Sequence, residues 1–197
     1  MIKFEKNIKK LLPYNRRHYY EFWDEDFNSF TEWNGVSFQL KGISEEKDIG
    51  LTMFIENYAM LFNNIVSQLD NGSFWIVNHD DKDLKWFPNE ENNLCELRTL
   101  FKQNNIPNSF KGALIFTKVD LLKFSNDILS YPFAIFDEES LLYKNLDISH
   151  GELPFIIKIS GHFNIDLLTT DKELLKKVVN ENTASEFIIK EYRGTFL

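Results

Sequence analysis

Residues 153–168 read LPFIIKISGHFNIDLL, and this stretch decides the fold class. The apolar run at 155–160 predicts a buried strand, and Gly161 supplies a turn after it. From Phe163 to Leu167 apolar residues alternate with polar ones, which is typical of a second, half-buried strand. Two strands joined by a turn favour a sheet that is mixed or mainly antiparallel.

The clearest helix precedes this stretch and is predicted at about 48–69. Apolar residues recur there at spacings of three and four, which places them on one face of a helix, and Asn71-Gly72 supplies a stop. They are Leu51, Phe54, Ile55, Tyr58, Phe62, Ile65, Val66 and Leu69. Such a face packs into a hydrophobic core.

Shorter patterns predict the rest of the chain. Strands are predicted at 36–40, 74–77, 113–117, 133–136 and 187–192. Helices are predicted at 1–12, 93–104, 120–129 and 170–180, the last one capped by Thr170, and residues 16–24 are predicted to be helical or irregular. Because strands and helices mix without strict alternation, we predict an α+β fold, with a mixed or mainly antiparallel sheet packed with several helices. No linker or repeat divides the sequence, so residues 1–197 are expected to form a single domain.

Composition favours a globular protein of the cytosol. Hydrophobic residues make up 43% of the chain, and its one cysteine, Cys95, excludes an internal disulfide. We expect Cys95 to be buried. The basic residues 1–17 lack the apolar run of a signal peptide, and no stretch reaches the roughly 20 apolar residues of a membrane span. We therefore expect a cytoplasmic protein that does not contact a membrane.

Charge is unevenly distributed along the chain. Residues 1–20 carry a net charge of +5, residues 21–91 carry −11 and residues 92–197 carry −2. All four tryptophans, Trp23, Trp33, Trp75 and Trp86, lie in the acidic stretch. An acidic surface repels nucleic acid and attracts basic partners, although the same charge can serve solubility alone. Trp75 lies within an apolar strand and is assigned to the core.

The sequence offers no pattern of catalytic or metal-binding residues. Its four histidines lack the spacing of a zinc site, and its glycines do not form a phosphate-binding loop. The pair His79-Asp80, with Asp81, could supply metal ligands, but such a pair is common by chance and this one lies in an acidic run. We therefore expect a protein that is not an enzyme and needs no cofactor or metal.

The C-terminal half contains the segments GALIFT at 112–117, YPFAIF at 131–136 and LPFIIKISGHFNID at 153–166. With its size and its acidic, tryptophan-rich stretch, the chain resembles the immunity proteins of bacterial contact-dependent growth inhibition systems. The resemblance implies a stoichiometric inhibitor that binds a cognate toxin domain, often a basic nuclease, and does not itself bind nucleic acid.

The acids and tryptophans of this stretch give the candidate partner-binding residues. They are Trp23, Asp24, Glu25, Asp26, Asp80, Asp81, Asp83 and Trp86. Tryptophan is enriched at the energetic centres of protein interfaces, and carboxylates steer a basic partner into contact.

Two other functions remain open from the sequence. An enzyme would require a pocket that gathers His150, His162 and carboxylates with shifted pKa values. An acidic mimic of DNA would share the electrostatics of an immunity protein, but it would bind several basic proteins instead of one.

Overall fold

The structure is a computed structural model that describes residues 2–23, 32–41, 51–80, 84–87, 93–135 and 145–192. Within these ranges the chain forms one antiparallel sheet of eight strands and six α-helices. The strands are β1 (Lys3–Glu5), β2 (Asn34–Leu40), β3 (Trp75–His79), β4 (Ala113–Phe116), β5 (Leu146–His150), β6 (Phe155–Ser160), β7 (Asn164–Thr169) and β8 (Phe187–Glu191). The helices are α1 (Arg16–Trp23), α2 (Leu51–Gln68), α3 (Cys95–Gln103), α4 (Lys118–Lys123), α5 (Ser125–Ala134) and α6 (Lys172–Asn182).

The predicted α+β fold is confirmed. The strands follow the order β1-β4-β3-β5-β6-β7-β2-β8 across the sheet. The segment that predicted a hairpin forms β6 and β7, with Phe155 opposite Thr169 and Ser160 opposite Asn164. The long periodic helix is α2, and the prediction that Trp75 is a core residue is also confirmed, because its side chain is buried.

The main hydrophobic core lies between one face of the sheet and the helices. Alternate strand residues point into it, and the periodic face of α2 covers them. From β6 and β7 these residues are Phe155, Ile157, Ile159, Ile165 and Leu167. From α2 they are Phe54, Tyr58, Phe62, Ile65 and Val66. The other residues of each strand point to the opposite side and form a second face of the sheet, which the helices α2 to α6 do not cover.

Residues 8–23 cover much of this second face. Ile8 packs against Ile76 and Ala113, in the part of the sheet formed by β3 and β4. Farther along the sheet, the α1 residues Tyr19 and Phe22 form a second small cluster. It also contains Trp33, Ile156 and Leu168. The basic N-terminal segment is thus a folded layer of the domain.

The predicted helix at 1–12 is wrong. Phe4, Ile8 and Leu12 have helical spacing, but residues 3–5 form the edge strand β1, which pairs with β4. The Phe4 ring packs edge-on against Phe101, with 5.3 Å between ring centroids. Pairing with β4 satisfies the backbone hydrogen-bonding groups of residues 3–5, whereas a short isolated helix is only marginally stable in water.

The predicted strand at 133–136 is also wrong over its described residues, because α5 continues through Pro132 to Ala134. Pro132 thus lies inside the helix, and the Phe133 ring stacks on Phe163 with centroids 4.3 Å apart. The predicted helix at 120–129 is two helices, α4 and α5, and Thr117 caps the first.

Three smaller predictions also need correction. Strand β5 was not predicted, although Leu146 and Ile148 alternate with Asp147 and Ser149. Asp171, and not Thr170, caps α6, since its carboxylate accepts a hydrogen bond from the Leu174 amide at 3.0 Å. Cys95 is exposed at the start of α3, which contradicts the expectation that it is buried.

Candidate functional site

A row of polar side chains crosses the second face of the sheet. Six residues on six neighbouring strands lie opposite one another in register. In order across the sheet they are Asn78, Asp147, Lys158, Asp166, Ser37 and Lys190. The first five are buried and the last is exposed at the sheet edge. Charges this deep in a sheet are stable only when they are paired and hydrogen-bonded.

Lys158 lies at the centre of this row. Its ammonium group is 3.1 Å from Asp80 Oδ2 and 3.5 Å from Asp147 Oδ1. The Tyr19 hydroxyl donates a hydrogen bond to the same Asp147 oxygen at 2.8 Å. The ammonium also lies 5.5 Å from the centre of the Trp23 ring. Helix α1 is therefore joined to the charged row through two of its aromatic residues.

Burial and pairing shift the pKa values of this group. Burial opposes the charged form of Lys158, but the carboxylates of Asp147 and Asp80 outweigh it and raise the pKa of the ammonium. Burial raises the pKa of Asp147, and the nearby ammonium of Lys158 partly offsets that shift. Lys158 is therefore a stable cation at neutral pH and is poorly suited to act as a nucleophile or base.

Asp166 forms the other half of the charged row. It accepts hydrogen bonds from the Tyr192 hydroxyl at 3.0 Å and from the side-chain amide of Asn164. The same amide donates to Ser37 Oγ at 3.0 Å. Burial raises the pKa of Asp166, while the hydrogen bonds from Ser37 and Tyr192 lower it. The carboxylate is thus oriented by its neighbours.

An open cavity of about 420 Å³ lies over this half of the row. Strands β6, β7 and β2 form its floor, with Lys158 and Asp166 among its residues. Helix α1 and the segments next to β3 and β8 form its walls. Aromatic rings from these elements line the walls, namely those of Tyr19, Tyr20, Trp23 and Tyr192. The cavity thus combines charged groups with aromatic surfaces.

Close packing determines where α1 lies above the sheet. A Cβ atom at Gly35 would lie 2.9 Å from Cζ of Phe22 and 3.1 Å from Cδ2 of Tyr192. Only glycine allows both rings to approach β2 this closely. At the other side of α1, Arg16 donates hydrogen bonds to the carbonyl oxygens of His79 and Asp80, at 2.8 and 2.7 Å.

Two of the candidate partner-binding residues, Trp23 and Asp80, line this same cavity. They are 57 positions apart in sequence, and both lie beside the Lys158 ammonium. The Asp80 side chain retains 26% of its accessible surface. Five other candidates lie outside the described residues: Asp24, Glu25, Asp26, Asp81 and Asp83.

Trp86 is a core residue, which corrects its prediction as a partner-binding residue. Its side chain has 0% of its surface exposed, and its indole nitrogen donates to the Gly112 carbonyl at 2.9 Å. It packs against His79 and Tyr131, with ring centroids 4.8 and 4.9 Å away. Trp33 and Trp75 are buried as well, so Trp23 is the tryptophan that reaches the surface.

Sequence reasoning missed most of the residues at the floor of the cavity. Lys158 interrupts an otherwise largely apolar strand, and that interruption was the available signal, whereas Asp166 fell on the polar side of an alternating strand. A charged residue inside such a strand needs a buried partner. The partner could not be identified from the sequence, because Asp147 is contributed by β5, a strand that was not predicted.

The structure separates the two histidines proposed for an enzyme site, although His162 lines the same cavity as Asp80 and Asp166. His150 ends β5 beside Trp75, near the beginning of β6, whereas His162 lies in the turn after the end of β6. His150 is fully buried, and its ring bonds backbone groups of Leu69, Glu152 and Leu153. The two histidines therefore do not share a pocket.

Among the described residues, no group of three or more His, Cys, Asp or Glu residues is arranged to hold a metal ion. None of the helices formed by those residues has the length and apolar character needed to cross a membrane.

Comparison of the chain with known protein families, curated proteins and solved structures finds no match.

Proposed function

We propose that this chain is an immunity protein that binds and neutralises a cognate bacterial toxin domain in the cytosol. The supporting observation is the convergence of Trp23 and Asp80 on one open cavity. An aromatic side chain beside a carboxylate, both accessible at the mouth of a cavity, suits the recognition of a basic protein surface.

The charge distribution supports the same surface. In the sequence, Trp23 is followed directly by Asp24, Glu25 and Asp26, and Asp80 is followed by Asp81 and Asp83. Both acidic runs are thus attached to residues of the cavity wall. An acidic field concentrated at one surface accelerates encounter with a basic toxin and repels nucleic acid.

Inhibition by such a protein is stoichiometric. Electrostatic attraction sets the association rate, while burial of Trp23 and pairing of carboxylates at the interface slow dissociation. The aromatic rings of α1 are held by packing on the sheet, so little side-chain entropy is lost on binding. A preformed cavity of this kind favours a partner that inserts a side chain into it.

Co-expression with a toxin domain tests the proposal. The toxin domain encoded directly upstream of this gene is expressed in a host strain, with or without the chain, and survival is counted. Wild-type chain is expected to restore growth. The triple variant Trp23→Ala, Asp24→Lys, Asp26→Lys is expected to lose protection while it remains folded, because it removes the aromatic anchor and reverses the charge beside it.

A matched control carries the same reversal of two acids on the opposite side of the domain. Glu56 and Glu181 are exposed on helices α2 and α6, away from the cavity. The variant with lysine at both positions is expected to protect fully. Equal protection by both variants would exclude this surface as the interface, and failure of the wild-type chain to protect would contradict the proposed function.

A further inference from the structure

We propose that the cavity bounded by Trp23, Asp80 and Asp166 receives an arginine side chain from the protein partner. The inference rests on the proposed function and specifies the chemical group that the partner inserts. It is carried by the shape of the cavity, by the charges on its floor and by the way its walls already bind cations.

The shape of the cavity suits a single side chain. Its volume of about 420 Å³ is near the lower end of the roughly 300–1,000 Å³ of ligand pockets. The rings of Tyr20, Trp23 and Tyr192 line its walls, and Tyr20 retains 42% of its surface. The cavity therefore places aromatic rings beside the carboxylates of Asp80 and Asp166.

The charges near the floor favour a cation. Asp80 and Asp166 line the cavity, and Asp147 lies beneath Lys158. Among the side chains that line the cavity, Asp80 and Asp166 are acids, Lys158 is a base and His162 is a histidine. With the imidazole counted as neutral, their formal charges add up to one negative charge in a partly desolvated site. A carboxylate or phosphate entering here would meet Asp80 and Asp166 and be repelled.

The walls already bind two cations of this chain in the manner proposed for the partner. The Lys158 ammonium lies 5.5 Å from the Trp23 ring centre. The Arg16 guanidinium lies 5.1 Å from the Tyr20 ring centre and donates to the carbonyls of His79 and Asp80. Both contacts combine an aromatic face with oxygen acceptors, which is the arrangement that binds cations in proteins.

An arginine fits this arrangement better than a lysine. Its guanidinium is planar, stacks on aromatic rings and is less strongly hydrated than an ammonium group. It can also place two donors on one carboxylate, and Asp80 at the cavity mouth keeps part of its surface exposed. We therefore expect the cavity to bind an arginine side chain most tightly, a lysine side chain less tightly and a neutral analogue least tightly.

Blocked tripeptides test this inference without the toxin. Acetyl-Gly-Arg-Gly-amide and its citrulline analogue, which has the same shape without the charge, are titrated into the isotope-labelled full chain. The arginine peptide is expected to shift the Trp23 indole and Asn164 side-chain amide signals in a saturable way. The citrulline peptide is expected to bind at least about tenfold more weakly, because it lacks charge-assisted hydrogen bonds.

Two variants locate the binding site. Asp80→Asn keeps the shape of the side chain, and Trp23→Leu removes the aromatic wall while keeping apolar bulk. Either change is expected to weaken the arginine peptide about fivefold or more. Glu96→Gln, which removes an exposed acid on α3, is expected to change nothing. The amide spectrum of each variant shows whether it is folded. The affinity measured for either folded variant then shows whether the arginine peptide binds in the cavity.

Several outcomes would overturn the inference. They are the absence of saturable binding by the arginine peptide, equal binding by the citrulline peptide, and affinity unchanged in the cavity variants. The result is separable from the proposed function, since no toxin is present. Arginine binding without protection from toxin would refute the proposed function alone, and protection without arginine binding would refute the inference alone.

Discussion

Lys158 and Asp147 lie directly opposite each other on β6 and β5, and both side chains are almost completely buried. Their charged atoms are 3.5 Å apart, and the Tyr19 hydroxyl of α1 donates to the same carboxylate oxygen. The ion pair thus supports two structures at once, namely the second face of the sheet and the helix that covers it. It also forms the floor beneath the proposed partner-binding cavity.

Replacing Lys158 is expected to be costly. Lys158→Met leaves the buried Asp147 carboxylate without its cation, and we expect the free energy of unfolding to fall by about 3–5 kcal/mol. Urea denaturation at pH 7.5 measures this loss. Lys190→Met is the matched control, because Lys190 belongs to the same polar row but is exposed, and it is expected to change stability by less than about 0.5 kcal/mol.

The cost of Lys158→Met is expected to shrink in acid. Burial already raises the pKa of Asp147, and loss of the ammonium raises it further. As the pH falls, the carboxyl therefore becomes protonated and neutral in the folded variant before it does so in the unfolded chain. The stability difference from wild type is compared at pH 7.5 and 5.0. A difference that stays constant or grows toward acid would contradict this account of the pair.

His150 is expected to titrate below its ordinary pKa. Burial lowers the pKa of the imidazole, and its Nδ1 accepts hydrogen bonds from the amides of Glu152 and Leu153. The unfolded chain takes up a proton on His150 near pH 6.5, whereas the folded chain does so only at a lower pH. The free energy of unfolding therefore decreases as the pH falls below about 6.5. An NMR titration of its ring protons measures this, and a midpoint at or above 6.5 would refute it.

The start of α6 gives a comparison between neighbouring residues. The Asp171 carboxylate accepts the Leu174 amide, so Asp171→Ala is expected to cost about 1 kcal/mol. Thr170→Ala lacks this capping effect and is expected to cost clearly less in the same urea denaturation series. The reverse order would contradict the assignment of Asp171 as the cap of α6.

Gly35 is expected to tolerate no larger side chain. A methyl group there would meet the rings of Phe22 and Tyr192, so Gly35→Ala should cost about 1–3 kcal/mol by overpacking. The strain falls on the contact between α1 and the sheet. Hydrogen exchange of the α1 amides should therefore accelerate more than that of α2, and equal acceleration in both helices would contradict this explanation.

Local patterns predicted the elements whose periodicity is long or unambiguous. Helix α2 and the β6–β7 hairpin follow from repeated spacing and from the turn at Gly161. The same spacing argument failed at Phe4 and Ile8, because two residues four positions apart fit a short helix as well as a strand followed by a turn. Pairing with β4, which is distant in sequence, decided the outcome there.

The candidate site could be predicted only in part for a related reason. Trp23 and Asp80 were found from composition, since aromatic residues beside acids suit an interface. Trp86 has the same composition around it, yet it packs behind His79, and only the course of β3 and its neighbours distinguishes the two tryptophans. The polar floor depends on the register of β5, β6 and β7, which composition does not contain.

The most direct test of the central claim is an NMR footprint, on the isotope-labelled chain, of the cognate toxin domain that the proposed function expects to be encoded upstream. We expect the largest signal changes at the Trp23 indole and at Asp80, Asn164 and Tyr192 around the cavity. Signals from the outer face of α2, including Met53 and Met60, should stay unchanged. A footprint on α2 and α6, with the cavity signals unaffected, would contradict the claim that the partner binds at the cavity.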